Sequence, residues 1–159
     1  MDRLWAPWRI NYISKKRNKK GCIFCLAKKN TACDYVIFKT ERSICMLNIY
    51  PYNNGHILIS PLRHFGDISG ASEEEILDMF RCLKRAKALL QKVLKPQGYN
   101  VGFNLKQPAG AGITGHLHLH IVPRWVGDTN FMPVVSKSRI ISQSLDELVK
   151  LLKNADKQI

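Results

Sequence analysis

No apolar run in the 159 residues exceeds the five of Ile23 to Ala27, far short of the ~20 that a membrane-spanning helix needs. The first residues, MDRLWAPWRI, carry charges and a proline where a secretory signal has a plain apolar stretch. A cytoplasmic location and no membrane partner are the expectation. Cysteines number five, and an odd count without a secretory signal argues against a disulfide framework. Acidic residues are scarce, 12 against 25 Lys and Arg, so the chain has a formal charge of +13. No internal repeat is visible, and the only biased stretch is a basic one. What remains is ordinary globular composition, 45% hydrophobic and 23% charged, in a length that suits one domain.

The positive excess is concentrated near the N-terminus, where Lys15, Lys16, Arg17, Lys19 and Lys20 fall within six residues. Such a run is either a solvated loop or an attractor of polyanions, nucleic acid or phosphorylated small molecules. Residues 1–20 read as an arm with aromatic anchors Trp5, Trp8 and Tyr12, and residues 21–159 as a single domain. Strands are expected over Asp34–Thr40, Ser43–Asn48 and Gly55–Ser60, the last two joined by the turn-rich YPYNNG. A long helix is expected from Ser72 to Lys95. Ser72 and Glu75 form a capping box, Ile76, Phe80, Leu83, Leu90 and Leu94 mark its stripe with Met79, Ala86 and Val93 widening it, and Pro96 and Gly98 end it. Strands Tyr99–Leu105 and His116–Val122 and a helix from Ser144 to about Asn154 complete an α+β domain with a mostly antiparallel sheet.

Chemistry concentrates in the histidines. His116, His118 and His120 form H-x-H-x-H, and alternate residues of a strand share a face. Leu117, Leu119 and Ile121 then face the core. Three imidazoles opposite a clean apolar face suit either joint binding of a catalytic metal or a nucleophilic imidazole flanked by charge-orienting neighbours. The preceding loop, QPAGAGITG, can turn backbone N–H groups towards one point and let a phosphate approach closely. That favours attack on phosphorus. Cys22 and Cys25 form C-x-x-C in GCIFC; alone it is half a zinc site, a redox pair or coincidence. Cys45 and Cys82 sit in apolar surroundings and read as buried packing.

HLHLHIV matches the H-φ-H-φ-H-φ-φ pattern, φ being apolar, of the histidine-triad (HIT) superfamily, and LNIYPYNNGHILISPLRHFGDIS and GYNVGFN resemble its earlier strands. MDRLWAPWRINYI and VPRWVGDTNFMPV are similar to a bacterial branch that includes diadenosine tetraphosphate phosphorylases. The resemblance implies a five-stranded, mostly antiparallel HIT fold with one long and one C-terminal helix, assembled as a homodimer through the long helix. It implies that His118 attacks the α-phosphorus of a dinucleoside polyphosphate, forming a nucleotidyl-imidazole that water or inorganic phosphate resolves. His120 would donate to phosphate oxygens. Asn48 matches a ribose-holding position and Asn104 an amide near the phosphates. Relatives often carry Ser or Thr three residues before the first histidine; here that residue is Ile113, with Thr114 one position later. The backbone N–H groups of Gly112 and Ile113, and the Thr114 hydroxyl, are the phosphate contacts to look for. His56 also aligns with a family histidine, without a role. The resemblance further implies a structural zinc held by Cys22, Cys25, His64 and His116. Arg124 is a candidate anion contact. The alternatives are a nucleoside phosphoramidase or a dinucleoside polyphosphate hydrolase of the same fold, a nucleic-acid-binding protein using the basic arm, and a hydrolase with all three triad histidines on one metal.

Overall fold

The structure, a computed structural model, describes residues 21–29, 34–128 and 141–158. The expected N-terminal arm, Cys33 and the segment FMPV lie outside the described residues. A helix α1 (Ile23–Lys29) is followed by strands β1 (Val36–Lys39), β2 (Ser43–Leu47) and β3 (Ile57–Pro61), a long helix α2 (Glu73–Leu94), strands β4 (Gly98–Phe103) and β5 (Leu119–Arg124), and a helix α3 (Leu145–Asp156). The strands form one five-stranded sheet in the order β1-β2-β3-β5-β4, every pair antiparallel. The α+β class and the mostly antiparallel sheet expected from the sequence are what the chain forms.

Strand alternation divides the interior in two. Cys45 and Leu47 of β2, Ile57 and Ile59 of β3, and Leu119 and Ile121 of β5 pack with Met79, Cys82, Ala86, Leu89 and Leu90 of α2 and Leu148 and Leu152 of α3. The intervening residues Ile44, Met46 and Leu58 pack on the other side with Phe24 and Ala27 of α1 and with Ile113. Leu58 pairs with His120 across β3 and β5, which puts the histidines on the α1 side. The side of the triad is therefore a consequence of period-2 geometry: Leu117, Leu119 and Ile121 take the face covered by α2 and α3, and the imidazoles the face covered by α1.

Helix α2 begins as expected. Ser72 accepts from the Glu75 N–H, and Glu75 accepts from the Ser72 N–H at 2.9 Å. It ends with Lys95 in the left-handed conformation before Pro96. Its buried stripe keeps the expected Met79, Ala86 and Leu90 but leaves out Phe80 and takes in two acids. Leu77 and Phe80 are 52% and 50% exposed, while Glu75 and Asp78 are buried. The two carboxylates are tolerated because each has partners: Arg63 donates to Glu75 at 2.9 and 2.7 Å, and the Thr40 hydroxyl to Asp78 at 2.6 Å. Arg63 holds the Glu75 carboxyl below its ordinary pKa. Helix α3 runs to Asp156, beyond the expected end, where that carboxylate takes Arg85 of α2 at 2.7 Å.

Candidate active site

β5 starts at Leu119, not at His116 as the alternation suggested. The Leu117 N–H goes to the Phe65 carbonyl at 2.6 Å and the Leu117 carbonyl takes the Ser60 hydroxyl at 2.8 Å. The first two histidines thus sit on an extended lead-in pinned by the chain around β3, and their partners differ accordingly.

Each imidazole has one nitrogen fixed, and the fixed nitrogen defines the free one. His118 Nδ1–H donates to the His116 carbonyl at 2.8 Å. Its Nε2 therefore carries the lone pair of the neutral ring, the form a nucleophile needs. His56 Nδ1 accepts the Tyr52 main-chain N–H at 3.0 Å. A main-chain N–H can only donate, so neutral His56 carries its proton on Nε2 and donates it to His120 Nδ1 at 2.9 Å. His120 then carries its proton on Nε2, a buried nitrogen without a partner among the described residues. An unpartnered buried N–H costs free energy unless a ligand takes it. The His118 and His120 rings are 4.9 Å apart, so a lone pair and an N–H stand side by side. Burial lowers the pKa of both, with the neighbouring His118 adding to the effect on His120, which falls to about 4. Both are neutral at physiological pH.

The first triad histidine faces elsewhere. His116 Nε2–H donates to the Pro61 carbonyl at 2.8 Å. Its Nδ1 lies 3.1 Å from Cys22 Sγ, 3.7 Å from Cys25 Sγ and 3.1 Å from His64 Nδ1, and Cys25 Sγ is 3.3 Å from His64 Nδ1. All four donor atoms lie within 4.8 Å of one another. A tetrahedral zinc with bonds of ~2.0–2.3 Å has ligand–ligand edges of roughly 3.3–3.8 Å; the four separations just given approach those edges, while the widest in the set is about 1 Å longer. Burial, and then the adjacent Cys22 sulfur, push the Cys25 thiol up, as expected where two thiolates need a cation between them. The three-histidine metal reading fails on this geometry: His116 Nδ1 faces the cysteines, and His118 Nδ1 and His120 Nδ1 are already hydrogen-bonded.

The rim holds the remaining expected residues. Asn48 accepts from the Tyr50 N–H at 2.9 Å and lies 3.2 Å from His56 Nδ1, leaving one lone pair and one N–H of its amide for a ligand. Asn104 donates to the Tyr52 hydroxyl at 3.2 Å and lies beside Gly110 of the glycine loop. The N–H groups of Gly112 and Ile113 have no backbone partner among the described residues. The Ile113 side chain packs into the apolar cluster under α1, and Thr114 is exposed. The loop can lie close because residue 66 is glycine: a Cβ there would stand 2.5 Å from the Thr114 carbonyl oxygen. Arg124 is not brought to the phosphate position in a free state. Its guanidinium is paired with Asp128 at 2.7 and 2.8 Å and donates to Asn100 at 2.7 Å.

Three contributors escaped sequence reasoning. Helix α1 spans seven residues, too short to show a period, yet its Phe24 packs 5.1 Å from the His116 ring and 5.4 Å from the His118 ring. His56 has no role legible in the sequence, yet it hydrogen-bonds His120. Tyr52 belongs by sequence to the turn-rich YPYNNG, yet its ring stacks on His120.

Two neutral imidazoles offering a lone pair and an N–H beside a glycine loop make up a site of the histidine-triad class. The model of the HIT domain matches residues 29–126, and the chain belongs to that family. Among curated relatives it is 30% identical to the AP-4-A phosphorylase of Mycobacterium tuberculosis over 161 residues, covering 96% of this chain and 83% of that protein. It is 28% identical over 93 residues to the asymmetrical bis(5'-nucleosyl)-tetraphosphatase of Schizosaccharomyces pombe, covering 58% of this chain and 50% of that one. A solved Zn-bound histidine triad family protein from Mycobacterium smegmatis superposes with a TM-score of 0.71 at 28% identity, over 87% of this chain and 94% of that one.

Proposed function

We propose that the chain cleaves dinucleoside polyphosphates by covalent nucleotidyl transfer, acting as a diadenosine tetraphosphate phosphorylase. The observation that carries this reading is the pairing of a lone pair on His118 Nε2 with the partnerless N–H on His120 Nε2. His118 Nε2 attacks the α-phosphorus, an N–P bond forms, and the P–O bond to the remaining polyphosphate breaks. The leaving polyphosphate is already a stable anion and takes the electron pair without a strong acid. His120 Nε2–H, with the Gly112 and Ile113 N–H groups, donates to the phosphoryl oxygens where charge builds. An oxygen of inorganic phosphate then attacks phosphorus, the N–P bond breaks, and a nucleoside diphosphate leaves with His118 restored. Asn48 holds the ribose and Asn104 the phosphates. The 30% identity to a phosphorylase over most of the chain supports phosphate over water as acceptor.

Cys22, Cys25, His64 and His116 would hold one zinc ion, which when bound supplies a closed structural cross-link with no open position for substrate. It would tie α1 to the segment that carries His118. The exposed Leu77 and Phe80 of α2, and Val101 of the edge strand β4, support a homodimer through that face. Among the described residues no helix is long and apolar enough to cross a membrane; a cytoplasmic location is part of the reading. The test is His118→Ala on diadenosine tetraphosphate. Turnover should fall by at least about a thousandfold, since loss of a covalent catalyst removes several kcal/mol of barrier lowering. Retention of more than about a tenth of turnover would refute the assignment.

A further inference from the structure

We propose that Tyr52 is a positioning residue for this reaction: its main-chain N–H, its ring and its hydroxyl together hold His56, His120 and Asn104 in the arrangement that presents the His120 Nε2–H. The inference rests on the reading of His120 as the donor that faces phosphate.

Three separate contacts from one residue carry it. The Tyr52 N–H donates to His56 Nδ1 at 3.0 Å and thereby sets the proton of His56 on Nε2. The ring lies 5.6 Å from that of His120 with planes only 10° apart, a stacked arrangement, and 4.6 Å from the His56 ring. The hydroxyl oxygen accepts from Asn104 Nδ2 at 3.2 Å, joining the β2–β3 loop to the chain after β4. The ring is 43% exposed, so it covers the site from the solvent side and does not fill the core, whereas His120 beneath it is 8% exposed.

The ring therefore has a definite electrostatic effect. His120 titrates at about 4 chiefly because it is desolvated. Among the described residues the titratable groups facing it are His118 from the lead-in to β5 and His56 and Tyr52 from the β2–β3 loop. Its strand neighbours on either side are Leu58 and Gly102, which carry no charge. Among the described residues no carboxylate faces it, so water is what would stabilise its protonated form. Removing the cover admits water, raises the pKa, and frees the ring to turn away from His56.

The test is ¹⁵N-histidine spectroscopy of the full chain across pH, without substrate. In Tyr52→Ala and Tyr52→Leu the His120 midpoint should move up by about one pH unit or more, towards the ordinary value. The Nε2–H pattern should be lost in part, and turnover should fall about tenfold with its acid limb moved to higher pH. Tyr52→Phe keeps the ring and the main-chain N–H. Its His120 spectrum should match the wild type, while KM rises as Asn104 loses its partner. Tyr52→Leu keeps the bulk of the loop, so it decides the matter if Tyr52→Ala melts early. A wild-type His120 midpoint and tautomer in Tyr52→Leu would overturn the proposal. Because the spectra need no substrate, a chain that cleaves no dinucleoside polyphosphate would refute the proposed function and leave the Tyr52 result readable.

Discussion

Replacing His56 with alanine probes the proton arrangement without touching a group that contacts phosphorus. The imidazole is 0% exposed and lies between two donors and one acceptor: the Tyr52 N–H at 3.0 Å, the Asn48 amide at 3.2 Å and His120 Nδ1 at 2.9 Å. Tyr52 is partly exposed and Asn48 half-buried, so water can reach both once the ring is gone. His120 Nδ1 is the group left stranded. One stranded buried polar atom costs about 1–3 kcal/mol, and the emptied ring volume adds to it. A stability loss of about 2–4 kcal/mol follows, read from urea unfolding. The kinetic effect is separate. Without the His56 donor, His120 is free to place its proton on Nδ1 and turn a lone pair towards the phosphate, which repels. Turnover should fall by about ten- to a hundredfold, short of the loss expected for His118→Ala. His56→Gln can set an amide N–H near the lost Nε2–H and should recover most of the turnover. Wild-type kcat in His56→Ala, or equal losses in the alanine and glutamine variants, would refute the proton assignment.

Other consequences can be checked directly. Elemental analysis of freshly purified protein should find one zinc per chain. Cys22→Ser should release it and lower Tm, because ligands fixed by the fold return binding free energy as stability; metal-free wild-type protein would contradict this. His120 has a folded-state pKa of about 4, below its ordinary value, so the unfolded chain binds the proton first. Its contribution is complete above pH ~6.5 and is lost as pH falls towards 4, on the order of 3 kcal/mol. The difference in urea midpoint between pH 7 and pH 4.5 should therefore be smaller in His120→Asn than in the wild type. Inorganic phosphate should accelerate cleavage of diadenosine tetraphosphate and yield ADP and ATP. AMP and ATP at a rate indifferent to phosphate would make the chain a hydrolase.

Much of this was legible from periodicity and capping. The Ser72–Glu75 box, the stop at Pro96 and the alternation of Leu119 and Ile121 with His118 and His120 need only local rules, and the structure keeps them. The burial of two acids on α2 was not legible, because Glu75 and Asp78 depend on Arg63 and Thr40, which reach them from elsewhere in the chain. Helix α1 was missed because seven residues do not establish a period. The roles proposed for His118 and His120 follow from the family resemblance of HLHLHIV, but the proton positions do not. They are set by one carbonyl two residues away and by a tyrosine N–H that acts through a third histidine. Arg124 shows the opposite case: a basic residue near the triad attracts a phosphate reading from sequence, and Asp128 four residues on has already paired it.

The central claim is that phosphorus is transferred to His118 Nε2. Rapid acid-free quenching of the wild type with diadenosine tetraphosphate in the absence of phosphate, followed by peptide mass spectrometry under basic conditions, tests it most directly. An adenylyl group should appear on the peptide bearing HLHLH, located at His118 by fragmentation, absent from His118→Ala and discharged as ADP when phosphate is added. An adduct on His120 or His116, or full turnover with no adduct at any time point, would contradict it.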